Sequence, residues 1–65
     1  MTITVNGETR EVQKSALSAI LAELGYAGEA VATALNGAFV PAAQREVTAV
    51  HPGDRLEVVS PQQGG

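Results

Sequence analysis

The sequence contains no cysteine, and this absence excludes several kinds of chemistry. Disulfide bonds, thiolate metal sites and a thiol nucleophile are all impossible in this chain. Positive charge is also scarce, since there are only four lysine and arginine residues and the net charge is −3. Aromatic residues make up only 3% of the chain. The basic, aromatic surface with which proteins bind nucleic acids is therefore not expected here.

Long apolar runs are missing as well, so no segment has the length that spans a membrane. The first five residues, Met-Thr-Ile-Thr-Val, lack the basic region of a signal peptide, and we expect a cytoplasmic protein. At 65 residues the chain has room for one small core and for no large substrate cleft.

Catalytic constellations are not visible in the sequence. The single histidine, His51, precedes Pro52-Gly53 in an apparent turn, and a lone histidine in a loop is usually structural or solvated. No serine has an evident base partner. The sequence therefore predicts no catalytic residue, no metal site and no cofactor bound by this chain, which indicates that it is not an enzyme.

Alternation of polar and apolar residues predicts most of the strands. Two Asn-Gly pairs, at 6–7 and 36–37, are typical of tight hairpin turns. The first hairpin should place Val5 and Val12 next to each other in the core, and the last strand should turn Leu56 and Val58 inward. The predicted strands are residues 2–5, 9–13, 30–35, 39–40 and 55–60, with an ambiguous segment at 47–50 and a helical turn at 42–45.

One helix is indicated by apolar residues at i, i+3, i+4 and i+7, which form a single stripe on a helical surface. Ser15 is the predicted N-cap and Gly25 the predicted left-handed residue after the helix. The stripe consists of Leu17, Ile20, Leu21 and Leu24. A hairpin, a helix, further strands and a final strand together predict an α+β domain, in which the helix covers one face of a mixed sheet and the first and last strands lie at its centre.

Several segments carry a resemblance that covers nearly the whole chain. They are Ile-Thr-Val-Asn-Gly at 3–7, the apolar helix, Val-Ala-Thr-Ala-Leu-Asn-Gly at 31–37 before Phe39-Val40-Pro41, and Pro52-Gly53-Asp54 before the last strand and the terminal Gly64-Gly65. In this order they resemble the β-grasp, ubiquitin-like sulfur carriers, and most closely the ThiS carriers of thiamine (thiazole) biosynthesis. The resemblance implies a β-grasp domain over residues 1–60 and a flexible Gly-Gly tail over residues 61–65.

The resemblance also implies a chemistry for the tail. Gly65 would be adenylated at its carboxylate and converted to a thiocarboxylate that donates sulfur, while Gly64, Gln63 and Gln62 would thread into the partner's channel. Pro61 has no amide hydrogen to continue a strand, and Gly64 lets the backbone lie in a narrow slot. The implied partners are a ThiF-like adenylating enzyme that uses ATP and magnesium, a ThiG-like thiazole synthase, and a sulfur donor such as a cysteine desulfurase.

The docking residues are harder to predict from the pattern. If Leu56 and Val58 face the helix, Val59 lies on the opposite face of the sheet, and Phe39 could join it there as an exposed apolar patch of the kind that binds partners. We nevertheless expect Phe39 in the core, because it is the only phenylalanine of a small domain.

Alternative functions remain open at this point. One is a sister carrier, such as the small subunit of molybdopterin synthase or a carrier for another thiolation pathway, although the short chain and its Pro-Gln-Gln segment argue against molybdopterin synthase. Another is a β-grasp interaction module with no covalent chemistry. A third is a ubiquitin-like modifier attached to lysines, because the activation step is shared.

Overall fold

Within the residues that the structure describes, five strands form one mixed sheet, and a single α-helix covers one of its faces. The computed structural model describes residues 1–60. The sheet order is β2-β1-β5-β3-β4, with β1 and β5 parallel and the other neighbours antiparallel. In chain order the elements are β1 (Thr2–Val5), β2 (Glu8–Glu11), α1 (Leu17–Glu23), β3 (Ala32–Leu35), β4 (Ala38–Val40), a 3₁₀ helix (Ala42–Val47) and β5 (Arg55–Val59). This is the predicted β-grasp architecture.

Both Asn-Gly pairs form two-residue hairpin turns. Asn6 and Asn36 each have φ of 52°, and the glycines that follow have φ of 84° and 85°. Two successive positive φ values define the type I′ turn, whose twist matches that of the flanking strands. The first turn pairs Val5 with Glu8, and the second pairs Leu35 with Ala38.

The return strand of the first hairpin differs from its prediction, because it covers Glu8–Glu11. Val12 follows it, and its amide donates to the Met1 carbonyl oxygen over 2.8 Å. Val12 and Val5 therefore lie at opposite ends of the hairpin, although both belong to the same buried core.

The helix buries three of the four residues of the predicted apolar stripe, while Leu24, its C-cap, is half-buried against the core, and Gly25 follows as predicted. Leu17 and Ile20 are fully covered and Leu21 nearly so. Gly25 has φ of 95°, and the amide of Tyr26 donates to the Leu21 carbonyl oxygen at 2.8 Å. Together with the bond from the Gly25 amide to the Ala22 carbonyl, this is a Schellman termination, which satisfies carbonyls that the helix end leaves unpaired.

The predicted N-cap at Ser15 is wrong. The cap position is Ala16, and no side chain caps the helix. Residues on either side of Ala16 pair instead with a distant segment: the Leu17 amide donates to the Thr48 carbonyl, and the Val50 amide donates to the Ser15 carbonyl. Ala16 also forms a single β-bridge with Ala49, which is the strand character suspected at 47–50. Tertiary pairing thus supplies the partner that a serine hydroxyl would otherwise give.

The core lies between the helix and the sheet. Ten apolar side chains are buried there, and Thr33 is the one buried polar side chain of the described residues. The apolar set is Ile3, Val5, Val12, Leu17, Ile20, Leu21, Val40, Val50, Leu56 and Val58. As predicted, Leu56 and Val58 face inward, while Arg55 and Glu57 are exposed.

Candidate functional site

The residues predicted to carry the chemistry lie outside the described residues. Gly65, Gly64, Gln63 and Gln62 all fall in 61–65, as does Pro61. The division into a domain of residues 1–60 and a tail therefore stays a prediction. The structure does describe the surface from which this segment departs, because β5 ends at Val59.

The sheet face that points away from the helix, here called the open face, carries the predicted docking residues. Opposed residues of paired strands point to the same face of a sheet. Phe39 opposes Ala34, which in turn opposes Glu57, and Ala32 opposes Val59. Phe39 is 68% exposed and Val59 is 61% exposed. The two side chains are thus brought to one face, on β4 and on the end of β5.

Small side chains on β3 turn this face into a groove. Both outward positions of β3 are alanines, Ala32 and Ala34, and they lie between Phe39 on one side and Val59 on the other. A shallow groove of about 280 Å³ results, with Asn6 and Glu57 among its lining residues. The four apolar members, Ala32, Ala34, Phe39 and Val59, are called the open-face patch below.

The expectation that Phe39 is a core residue is wrong. The physical reason is the way in which side chains alternate between the two faces along the second hairpin. Its two-residue turn pairs Leu35 with Ala38, and since Leu35 packs against the core, Ala38 and Val40 share that face and Phe39 takes the other. The Asn-Gly pair at 36–37 indicates a two-residue turn, and that turn determines which residues of β4 share the face of Leu35. The sequence therefore contained the information needed to place Phe39 on the exposed face.

The strand that leads to the tail is held by both hairpin turns. The Asn36 side chain accepts a hydrogen bond from the Arg55 amide over 2.9 Å, at the beginning of β5. Near the other end, the Asn6 side chain accepts from the Val58 amide at 2.8 Å and donates to the Val58 carbonyl oxygen at 3.0 Å. The sequence predicts the role of Asn6 in the hairpin turn but not its bonds to β5, because Val58 lies 52 residues away in the chain.

Two carboxylates have pKa values below their ordinary range. The His51 backbone amide donates to Asp54 at 2.8 Å and, with the Asn36 side chain, lowers the pKa of Asp54. The hydroxyl of Thr2 and the amino group of Met1 donate to Glu11 and lower the pKa of Glu11. Both carboxylates therefore stabilise turns and chain ends in their ionised form.

None of the described residues forms a catalytic constellation. The His51 ring is exposed, and its Nδ1 lies 3.9 Å from the Asp54 carboxylate. Both residues belong to the turn that precedes β5. Within residues 1–60, no three acidic, histidine or cysteine side chains are grouped as a metal site. No helix in the same range is long and apolar enough to cross a membrane.

A second cavity, of about 320 Å³, lies on the other side of the molecule, between α1 and the 3₁₀ helix. Its half-buried cation, Arg45, donates to the Val31 carbonyl oxygen at 2.6 Å and to the Thr33 hydroxyl at 3.2 Å. These bonds tie the 3₁₀ helix to β3, so Arg45 is engaged in structural contacts. The open face is therefore the better candidate for a functional surface.

Comparisons with known proteins show the family and the fold of the chain. The model of the ThiS family matches residues 3–65. The crystal structure of the thiamine biosynthesis protein ThiS from Geobacter metallireducens is similar with a TM-score of 0.82 and 30% identity, and the match covers 100% of both chains. A solution structure of a thiamine biosynthesis protein from the same organism gives a TM-score of 0.79 at 30% identity, covering 100% of this chain and 88% of the other. No curated protein sequence matches the chain.

Proposed function

The chain belongs to the ThiS family, and from this premise we propose that it is a sulfur carrier of thiamine biosynthesis whose Gly65 carboxylate is the group that carries the sulfur. The observation that carries the proposal is the extent of the family match, which runs through the Gly-Gly end of the chain.

A carboxylate must be activated before it can accept sulfur. At neutral pH the α-carboxyl group is ionised, since its ordinary pKa is about 3.3–3.7, and a carboxylate is a poor electrophile. In the proposed reaction the Gly65 carboxylate attacks the α-phosphate of ATP, which forms an acyl-adenylate and releases pyrophosphate. Hydrosulfide then attacks the acyl carbon, the bond to AMP breaks, and a thiocarboxylate remains.

A protein persulfide can replace hydrosulfide as the sulfur donor. Its terminal sulfur then displaces AMP and forms an acyl disulfide, and a second thiol must reduce that disulfide to release the thiocarboxylate. This chain has no cysteine to supply the thiol. Both the persulfide and the reducing thiol therefore belong to a partner, such as a cysteine desulfurase or the activating enzyme.

The proposed partners follow from these steps. A ThiF-like adenylating enzyme supplies the ATP and magnesium site, and a ThiG-like thiazole synthase receives the sulfur. We assign no cofactor to the carrier itself. Gly64, Gln63 and Gln62 are the residues proposed to enter the partner's channel ahead of the domain.

The open-face patch is the proposed docking surface for the adenylating enzyme. Phe39 and Val59 are the large exposed apolar side chains of the sheet, and exposed apolar patches mark partner sites. Only Ser60 separates Val59 from the proposed tail, so a partner that covers this patch has the tail within reach. Five extended residues span at most about 17 Å.

The deciding experiment is a mass measurement on the whole chain. The protein is incubated with ATP, a labelled sulfur source and an extract of its host, and intact and fragment masses are recorded. We expect an oxygen-to-sulfur exchange that fragmentation places at Gly65, and no exchange without ATP. Placing the change matters because oxidation of Met1 gives nearly the same mass increase.

A chain with Gly65 deleted is the matched control, since it still ends in a glycine carboxylate. It should remain unmodified. An unmodified wild-type chain in an extract that thiolates a known carrier would overturn the sulfur-carrier proposal and leave a binding module. Conjugates on lysines of other proteins would instead identify a modifier.

A further inference from the structure

Strand β1 ends before β5 does. The backbone groups of β5 that face β1 come from alternate residues: the Asp54 carbonyl accepts from the Thr4 amide, and the Leu56 carbonyl accepts from the Asn6 amide. After Val5 the chain turns away into β2. The next β5 residue that faces this side, Val58, therefore has no β1 backbone opposite it.

The side chain of Asn6 takes the place of the missing backbone. A primary amide has one carbonyl oxygen and an N–H group, which are the same donor and acceptor types as a peptide group. Its Oδ1 accepts from the Val58 amide at 2.8 Å, and its Nδ2 donates to the Val58 carbonyl at 3.0 Å. The side chain thus adds one more pair of ladder bonds to β5.

This added pair lies close to the point where the chain leaves the sheet. Val58 is two residues before Ser60, where the described structure ends, and β3 pairs with β5 up to Val59. With Asn6 in place, β5 is held on both sides almost to its end. Without it, the last part of β5 would be held by β3 alone. Asn6 also lines the groove that contains Phe39 and Val59.

We propose that Asn6 is a positioning residue for carboxylate activation: its side-chain amide fixes the direction in which the chain leaves β5 beside the docking surface. This inference rests on the proposed function, since it concerns how Gly65 is presented to the adenylating enzyme. Holding reacting groups in the correct geometry contributes much of an enzyme's rate, and small misplacements lower that rate strongly. Loss of the Asn6 side chain should therefore slow the step that uses the tail and leave docking largely intact.

The chain offers a matched control in Asn36. Both asparagines are the first of the two central residues of a type I′ turn, with φ of 52°; both precede a glycine, and both bond to the backbone of β5. They differ in place, since Asn36 holds Arg55 at the beginning of the strand and Asn6 holds Val58 near its end. Glycine adopts this φ readily, so Asn6→Gly and Asn36→Gly each remove a side chain without straining the turn.

The experiment measures adenylation of the full chain by the host's adenylating enzyme over a range of carrier concentrations. We expect Asn6→Gly to lower kcat about tenfold to a hundredfold relative to Asn36→Gly, with little difference in KM. Urea unfolding of both variants checks that their stabilities are comparable. If Asn6→Gly does not fold, Asn6→Asp takes its place and is compared with Asn36→Asp, which adds the same negative charge. Asn6→Asp keeps an oxygen that accepts from the Val58 amide but puts a second oxygen against the Val58 carbonyl, so the same fall in kcat is expected.

A second measurement is independent of activity. Hydrogen exchange and backbone relaxation by NMR report on the amides of Val59 and Ser60, which should become more mobile in Asn6→Gly than in Asn36→Gly. Equal kcat values for the two variants, or equal mobility at these amides, would overturn the inference. If the wild-type chain is not adenylated, the proposed function fails, whereas the NMR comparison still decides whether Asn6 sets the exit of the chain.

Discussion

Replacing Phe39 with alanine should weaken binding of the adenylating enzyme much more than it weakens the fold. Phe39 points to the open face and is 68% exposed, so most of its surface is available to a partner. Its neighbour in sequence, Val40, points to the opposite side of the sheet and is buried. The two roles, partner contact and core packing, are thus carried by adjacent residues.

The magnitude follows from the exposed area. A phenylalanine buries roughly 150–250 Å² when it is fully covered, so docking over the exposed part of Phe39 would remove about 100–170 Å² from water. At about 25 cal/mol per Å², this corresponds to roughly 2.5–4 kcal/mol. Such a loss of binding free energy raises Kd by about two to three powers of ten. The part already covered in the free protein, about 50–80 Å², corresponds to a loss of only about 1–2 kcal/mol in the free energy of unfolding.

Isothermal titration of the chain into the adenylating enzyme measures the change in Kd, and urea unfolding measures the change in the free energy of unfolding. Val59→Ala and Val47→Ala form a matched pair for the same titration. Both valines are exposed, 61% and 78%, but Val59 belongs to the open-face patch while Val47 lies in the 3₁₀ helix. We expect Val59→Ala to weaken binding and Val47→Ala to leave it unchanged.

The reasoning would be refuted by a specific pattern. If Phe39→Ala binds as tightly as the wild type while Val47→Ala binds weakly, the partner covers the helical side and the open face has no docking role. Weak binding of Phe39→Ala that is fully accounted for by an unfolded fraction in the urea data would refute it equally.

Two further predictions concern stability. The His51 amide and the Asn36 side chain depress the pKa of Asp54 in the folded protein. The contribution of Asp54 to folding stability is therefore present above its ordinary pKa near 4 and is lost as pH falls through the lower folded value. Urea midpoints measured between about pH 6 and pH 3 should fall less steeply in Asp54→Asn than in the wild type. Thr33→Val removes the buried hydroxyl that donates to the Val40 carbonyl at 2.9 Å, and it should lower the free energy of unfolding by about 1–3 kcal/mol. An unchanged urea midpoint would show that this hydrogen bond makes no net contribution to stability.

Much of the fold could be predicted because local signals and the global fold agree. The apolar stripe of α1, the αL glycine at its end and the two Asn-Gly turns each act over a few residues, and the structure retains all of them. The alternation of Leu56 and Val58 with exposed neighbours gave the correct inner face of β5. These features need no knowledge of distant parts of the chain.

The predictions that failed depend on distant partners or on combined constraints. Ser15 is a good N-cap residue by itself, but pairing of residues 15–17 with residues 48–50 satisfies the helix start in another way. The hydrophobicity of Phe39 favours the core, whereas the alternation of side chains along the second hairpin places it on the exposed face. The bond between Asn6 and Val58 spans the whole domain, and no local pattern reveals it. The docking role of the open face and the chemistry of Gly65 stay predictions.

The central position of β5 has a mechanical consequence. The strand lies between β1, which is parallel to it, and β3, which is antiparallel. A force that pulls on the chain beyond Ser60 acts along β5 and loads the hydrogen bonds on both sides in shear at the same time. An edge strand under tension can instead peel away one bond after another. If the proposed enzyme draws the end of the chain into a narrow channel, it pulls on the strand whose release requires the sheet to separate into two halves. The domain is therefore built to stay folded under such a pull.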